Sequence, residues 1–361
     1  MSNPKWFMVL PSLKVSGGTL EAIRLAKDLD RGSEGVQIVS MWHSNTSVDP
    51  QLPTHFLADT APSVSRAPLE LVGVFLRFRH RLRNGTLGLS TSRFVFTHYA
   101  TLPLAFLVRR DRRYFFVQDL EWKFVGSRLA SFVLKRVILY FYRRGHLLSA
   151  NPYLSSRLAE LGLSVRLEVP IWASGHFLVE ECDLAREFDF AMVLRKGAHK
   201  RLDLYLQFLE LCQRDTTLKV AVVTPDETIA NCVRERVALC LVHPSQNAMR
   251  DVYARTKCFV HLSEHEGFGL PPLEAMGAGC VPLCRDSGGV RAFMAIEPLP
   301  SLLLPFDVPV EEVFRVGRSL ISGGDLAALS AASRSTFARG LLLASERATR
   351  IKKLDVTRDL A

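Results

Sequence analysis

Short apolar runs alternate with amphipathic stretches along the whole chain. The run "WFMVL" at 6–10 has no polar position, which is the pattern of a strand buried on both faces. It is followed by "TLEAIRLAKDL", where Ala22, Leu25, Ala26 and Leu29 recur at helical spacing and predict an amphipathic helix. "VQIVSMW" (36–42), "RFVFTH" (93–98), "YFFVQD" (114–119) and "HLLSAN" (146–151) read as further strands with helical stretches between them. Strand, helix and strand in repetition predict a parallel sheet covered on both faces.

The periodicity lapses at "VPIWASGHF" (169–177), a candidate linker, and then restarts. A second set of strands is predicted at "FDFAMVLR" (188–195), "LKVAVVTP" (218–225), "LCLVHP" (239–244), "CFVHLS" (258–263) and "CVPLCRD" (280–286). Helical segments at 201–213 and 248–257 intervene. The pattern predicts an α/β protein of two doubly wound domains, over 1–172 and 173–335, with a helical tail at 336–361 that packs back on the first. A length of 361 residues accommodates two domains of ordinary size.

Charge changes this picture for one half only. Residues 1–172 hold 23 Lys and Arg against 12 Asp and Glu, while the whole chain has a net charge of +10, so the excess lies entirely in the first half. It is concentrated in "RFRHRLR" (77–83), "RRDRR" (109–113) and "KRVILYFYRR" (135–144). Such asymmetry suggests an anionic partner such as a membrane surface, a lipid phosphate or nucleic acid, although a solvated basic face reads the same way. The stretch 126–145 fits either an interfacial helix or a buried amphipathic one.

Neither the apolar run at 6–10 nor the nearly uncharged stretch 94–108 is long enough for a secretory or membrane-spanning segment. The expected location is cytoplasmic, with association at the inner face of the cell membrane. Seven cysteines, an odd number with no C-x-x-C pair, argue against a disulfide framework or thiolate zinc site and predict buried free thiols.

Three segments carry candidate chemistry. "VSGGT" (15–19) places Gly17 and Gly18 between the first strand and first helix, where backbone N–H groups can approach an anion. It is not G-x-G-x-x-G, and a tight turn without a ligand looks the same. "VLRKGAHK" (193–200) puts Arg195 and Lys200 at the carboxyl end of a strand, suited to phosphate oxygens. "EGFGLPPLEAMGAG" (266–279) brackets glycines and prolines with Glu266 in a loop and Glu274 in or near a helix's first turn. A proline there starts a helix whose N-terminus favours a diphosphate, and carboxylates beside it suit sugar hydroxyls.

The last segment resembles the E-x7-E signature of retaining glycosyltransferases of the GT-B fold, in the family-4-like group that uses nucleotide sugars. The Gly-Gly turn, the R-x4-K pair and the "DSGG" turn at 286–289 follow the same order. The resemblance implies two Rossmann-like domains facing across a cleft. It also implies transfer of a sugar, with retention, from a nucleoside-diphosphate donor to a saccharide or lipid-linked acceptor in cell-surface polysaccharide synthesis.

Several site residues follow from that resemblance. Arg195 and Lys200 neutralise the leaving diphosphate, Glu266 binds hydroxyls of the transferred sugar, and Glu274 binds the ribose. Gly267, Phe268, Gly269 and Leu270 offer backbone amides, and Gly17 and Gly18 meet the phosphates. No metal or other cofactor is implied.

Departures from the family pattern lie at "YFFVQD", with Gln118 and Asp119 where a His is common, at "VVTPDE" (222–227) in place of G-x-G, and at "VRAF" after Gly289. His98 and Asp119 are candidates to contact the acceptor or the reacting sugar. Competing readings are a GT-B sugar-nucleotide epimerase or phosphorylase, and a basic protein that binds nucleic acid or an anionic surface. No nucleic-acid partner is expected, because no recognised binding module is visible.

Overall fold

The computed structural model describes residues 6–14, 16–31, 35–43, 49–60, 67–87, 92–179, 186–294, 302–347 and 349–351. Val15 of the Gly-Gly segment, Cys182 and the tail beyond 351 lie outside them. The chain divides into two compact units, Met1–Ile171 with Ser345–Ala361, and Trp172–Ala344.

The first unit is a seven-stranded parallel sheet. Its strands are β1 (Trp6–Ser12), β2 (Val36–Trp42), β3 (Thr54–Ala58), β4 (Arg93–Phe96), β5 (Arg113–Val117), β6 (His146–Ser149) and β7 (Val165–Glu168). They lie in the order β3-β2-β1-β4-β5-β6-β7. The chain runs outward from β1 to β3, then crosses back to β4, so the topological switch point lies between β1 and β4. Phe7, Val9, Val95, Phe96 and Phe115 are buried, as unbroken apolar strands require. Ala22, Leu25, Ala26 and Leu29 are also buried, on the predicted face of the Gly17–Asp30 helix.

The second unit repeats the plan with six strands: β8 (Phe188–Val193), β9 (Val220–Thr224), β10 (Leu239–Val242), β11 (Thr256–His261), β12 (Val281–Arg285) and β13 (Leu303–Leu304). The order β10-β9-β8-β11-β12-β13 puts its switch point between β8 and β11, which pair in parallel with Cys258 opposite Phe190. In open α/β sheets the ligand crevice lies at the carboxyl ends of the strands flanking that point. The loops after β8 and β11 are the ones that hold the R-x4-K pair and the E-x7-E segment.

Three strands had no clear signal in the sequence. β3 and β7 are edge strands, half-buried along most of their length, and β13 has two residues. A half-solvated edge leaves no unbroken apolar run to read.

The candidate linker is well packed. Val169 and Ile171 donate backbone hydrogen bonds to Ser149 and Ala150 in the first unit. Trp172 anchors the second, donating from Nε1 to the Phe337 carbonyl at 3.0 Å. That contact lies on the Leu326–Ser345 helix, where a Cβ at Gly340 would come within 2.0 Å of the Trp172 ring. The second unit therefore runs to Ala344, past the expected boundary at 335. Beyond it, Arg347 is buried and pairs with Glu21 (3.3 Å) and Asp28 (2.5 Å) of the Gly17–Asp30 helix.

Cys212, Cys258, Cys280 and Cys284 are buried and not in disulfides, Cys240 is half-buried, and Cys232 is exposed, which departs from the uniform burial expected.

Candidate active site

The loop after β8 is shaped by its backbone. Gly197 adopts φ +131°, a single 3₁₀ turn runs Ala198–Lys200, and Arg201 takes a left-handed conformation before the Leu202–Gln213 helix. This geometry sends successive cations in different directions. Arg195 is exposed. Lys196 bonds to Asp226 and to the Thr228 hydroxyl, both at 2.7 Å, and its hydrogen bond is the main reason the Asp226 carboxyl sits far below its ordinary value. The "VVTPDE" departure thus acts as an anchor for the loop, and Asp226 also caps the Glu227–Val233 helix through Thr228 and Ile229 N–H.

Lys200 turns the other way, to the loop after β11. Its ammonium donates to both oxygens of Glu266, at 2.8 and 2.9 Å. Burial works to raise the Glu266 carboxyl, yet Lys200, with smaller contributions from His261 and Ser263, holds it below its ordinary value. Both side chains keep some exposure, 21% for Lys200 and 14% for Glu266. The result is a carboxylate fixed by a cation at the mouth of the crevice. His261, which sequence reasoning passed over, lies beneath it with Nε2 3.8 Å from Glu266. Burial lowers this imidazole to about 4, so it is neutral near pH 7. Its Nε2, like the buried Ser287 hydroxyl, has no hydrogen-bond partner in the protein.

The "DSGG" turn holds Glu266 from the far side. Glu266 N–H donates to the Ser287 carbonyl and Gly289 N–H donates to the Glu266 carbonyl, each at 3.0 Å. Arg291, from the departing "VRAF" stretch, grips Asp286 with Nε at 2.9 and 2.8 Å from the two carboxylate oxygens, and Asp286 accepts from Gly288 N–H. Glu264 N–H donates to the His199 carbonyl at 2.8 Å, tying the two crevice loops together.

The helix that follows runs Leu270–Gly277, capped by Gly269 at φ +90° with prolines in its first turn. Gly269 is therefore required for the turn itself, and a Cβ there would also meet Val290 at 2.9 Å. Glu274 is the fifth residue of this helix, at the start of its second turn and so near the first turn, as the sequence suggests. It lies beside Tyr253, whose hydroxyl is pushed up first by burial and next by Glu274, with Arg195 opposing. Phe268 is a core residue, its ring 5.9 Å from Trp172 and 5.8 Å from Phe293. Its side chain holds the loop in place, and Gly267, Phe268 and Gly269 are buried with Leu270 half-buried. Among the described residues no group of three or more His, Cys, Asp or Glu side chains is arranged to hold a metal ion.

The first unit brings its candidates to the carboxyl edge of its own sheet. Ser16 caps the first helix by accepting from Thr19 N–H, which makes Gly17 and Gly18 its first two residues with N–H groups at the helix start. A Cβ on Gly18 would lie 3.3 Å from the Gln118 side-chain oxygen, so the residue at the usual His position packs against the Gly-Gly turn. His98 follows β4 and accepts from Ala100 N–H through Nδ1 at 3.1 Å, which leaves the proton on Nε2. That nitrogen faces Glu121 at 3.6 Å, a residue sequence reasoning missed.

Burial lowers His98 to about 4 and raises Glu121 to about 8, the latter with help from the Asp119 charge. Near neutral pH the two face each other uncharged. The folded pKa of Glu121 lies above its unfolded value, so protonation favours the fold, and stability is lost as pH rises from about 4.5 to about 8. Glu121→Gln should therefore melt higher than the wild type at pH 8 and at the same temperature below pH 4. Melting curves across that range check it; a constant offset would show that Glu121 ionises normally.

The whole chain shares the GT-B fold: sucrose-phosphate synthase from Thermosynechococcus elongatus superposes with a TM-score of 0.77 at 14% identity, over 99% of both chains. Anabaena Alr3699/HepE, solved with UDP and glucose, superposes with a TM-score of 0.71 at 12% identity, over 99% of this chain and 100% of that one. Residues 185–295, within the second unit, match the family "Glycosyl transferases group 1". The GDP-mannose:cellobiosyl-diphosphopolyprenol alpha-mannosyltransferase of Xanthomonas oryzae pv. oryzae is 41% identical over 54 residues, 15% of this chain and 14% of that protein. The curated relatives are thus matched over only 12% and 14% of their own lengths.

Proposed function

We propose that this protein is a retaining glycosyltransferase that moves a sugar from a nucleoside-diphosphate donor to a saccharide or lipid-linked acceptor in cell-surface polysaccharide synthesis, working from the cytoplasm at the inner face of the membrane. The carrying observation is the Lys200–Glu266 pair, set between β8 and β11 at the carboxyl edge of the sheet, inside the segment that matches group 1 glycosyl transferases.

Each neighbour of that pair suits part of a nucleotide sugar. Arg195 and Lys200 neutralise the diphosphate and the charge that grows on it as the glycosidic bond breaks. The start of the Leu270–Gly277 helix adds N–H groups beside it. Glu266 accepts hydrogen bonds from hydroxyls of the transferred sugar, Glu274 from the ribose, and the Gly267–Leu270 backbone contacts sugar and phosphate. The buried Ser287 hydroxyl and His261 Nε2 are polar groups next to Glu266 with hydrogen-bonding capacity to spare. On the first unit, Gly17 and Gly18 offer amides to phosphate, while His98 and Asp119, now with Glu121, meet the acceptor. UDP and glucose bound to HepE, and the GDP-mannose in the name of the Xanthomonas enzyme, support a nucleoside-diphosphate donor.

The reaction proceeds without a metal, because the two cations and the helix start supply the positive charge. The test is thermal stabilisation by UDP, GDP and their sugars. A diphosphate at about 100 times its Kd should add about 2.7 kcal/mol of stability, and transfer should persist in EDTA. If no nucleotide stabilises the protein the reading fails, and if EDTA abolishes transfer the metal-free part fails.

A further inference from the structure

The Arg128–Tyr142 helix has two apolar faces. One is ordinary: Ile138, Leu139, Phe141 and Tyr142 are buried in the first unit. The other points to solvent. Leu129 (73% exposed), Phe132 (55%), Val133, Val137 and Tyr140 recur at i, i+3, i+4, i+8 and i+11, which places them along one side of the helix. Exposed Phe106 extends this stripe, with its ring 6.1 Å from Tyr140. Single exposed apolar residues need no explanation, but a contiguous stripe of six large ones does. Among the described residues the second unit leaves only Phe306, Leu342 and Leu343 comparably exposed.

Charge indicates what covers the stripe. From Trp122 to Ala159 the chain has no Asp or Glu. Arg136 stands within the stripe, stacked 5.1 Å from the Phe132 ring, and Arg144 lies 3.5 Å from Tyr140. Exposed Arg143 continues the same end, and Arg109 and Arg110 follow Phe106. Aromatic and aliphatic side chains pointing outward, ringed by arginines, match the boundary of a bilayer with anionic headgroups. There the apolar groups reach the acyl region while guanidinium groups meet phosphates. An acidic protein groove would satisfy the arginines but gives no reason for six large apolar and aromatic side chains turned outward along one side of the surface.

We propose that this stripe, centred on Phe132 and Val137 and flanked by Arg136, Arg143 and Arg144, docks the first unit onto the surface of an anionic phospholipid bilayer. This deepens the location given under the proposed function but does not depend on the donor.

The experiment is cosedimentation of the full-length chain with vesicles of phosphatidylcholine alone or with about one third phosphatidylglycerol. The protein should partition onto the anionic vesicles and much less onto the neutral ones, with binding falling as salt rises. Arg136→Gln/Arg143→Gln should weaken partitioning about 25-fold, near fivefold per charge. Leu129→Ser/Phe132→Ser should weaken it at least about tenfold. Both variants alter exposed side chains, so their melting temperatures and nucleotide-induced shifts should match the wild type, which separates this surface from the donor site. Equal binding to both vesicle types, or none to either, overturns the proposal. So does an oligomer in solution that Leu129→Ser/Phe132→Ser dissolves while vesicles go unbound, because the stripe would then cover a second copy.

Discussion

Lys200→Ala is expected to lower the rate of sugar transfer by about 10²–10³, the cost of removing one preorganised group that stabilises charge developing in a transition state. Two effects combine. Under the proposed function the leaving diphosphate loses a cation, and Glu266 loses the ammonium that holds its carboxyl below the ordinary value. With burial left unopposed by Lys200, Glu266 should titrate higher in the variant.

The pair also contributes to the fold. Because Glu266 has a depressed pKa in the folded protein, its stabilisation is present above about pH 4.5 and is lost as pH falls through the lower folded value. In Lys200→Ala this acid-side loss should diminish, with a stability cost near neutral pH of about 1–3 kcal/mol for the partly buried pair. Initial rates at a temperature where the variant remains fully folded separate the two roles. Wild-type turnover there would remove Lys200 from the chemistry and leave it a structural residue.

Gly289→Ala should be the most damaging single methyl in the molecule's crevice. A Cβ at Gly289 would stand 2.4 Å from the Gly267 carbonyl carbon and 2.5 Å from both the Glu266 oxygen and the Phe268 nitrogen. All three are backbone atoms, so no side chain can swing aside. Either the "DSGG" turn or the Glu266 loop must move, breaking the bonds that Glu266 shares with Ser287 and Gly289. The expected loss is about 3 kcal/mol or more of stability, with at least about tenfold weaker nucleotide binding in whatever remains folded. Gly126→Ala serves as the control, since a Cβ there meets nothing within 4 Å. Chemical denaturation of the two variants side by side checks this; equal midpoints would mean that the loops tolerate separation.

Both expectations concern residues whose importance was partly visible in the sequence, and the visible part has a pattern. Lys200 and Glu266 stood out because charge and breaker residues occur together at predicted strand ends. Their direct contact, 66 positions apart, could not be read, since it depends on β8 and β11 being neighbours. Gly289 was legible as part of a turn, but its reason is the backbone packed against it. Glu121 and His261 escaped notice because nothing local distinguishes them from ordinary polar residues; only burial and an approaching partner do.

Local sequence patterns carried the α/β class, the restart of the pattern after the middle of the chain, the positions of the central strands, and the two crevice loops. Those are local properties, carried by unbroken apolar runs, helical spacing, and the glycines and prolines that interrupt them. The tertiary structure decided the rest. It set the strand order that puts the R-x4-K and E-x7-E loops side by side, the direction each of Arg195, Lys196 and Lys200 takes, and the neutral state of His98 beside Glu121. It also decided that one face of the Arg128–Tyr142 helix stays in water while its opposite is buried. Each of these depends on which distant groups share a neighbourhood and how much water reaches them, and only the folded chain fixes that.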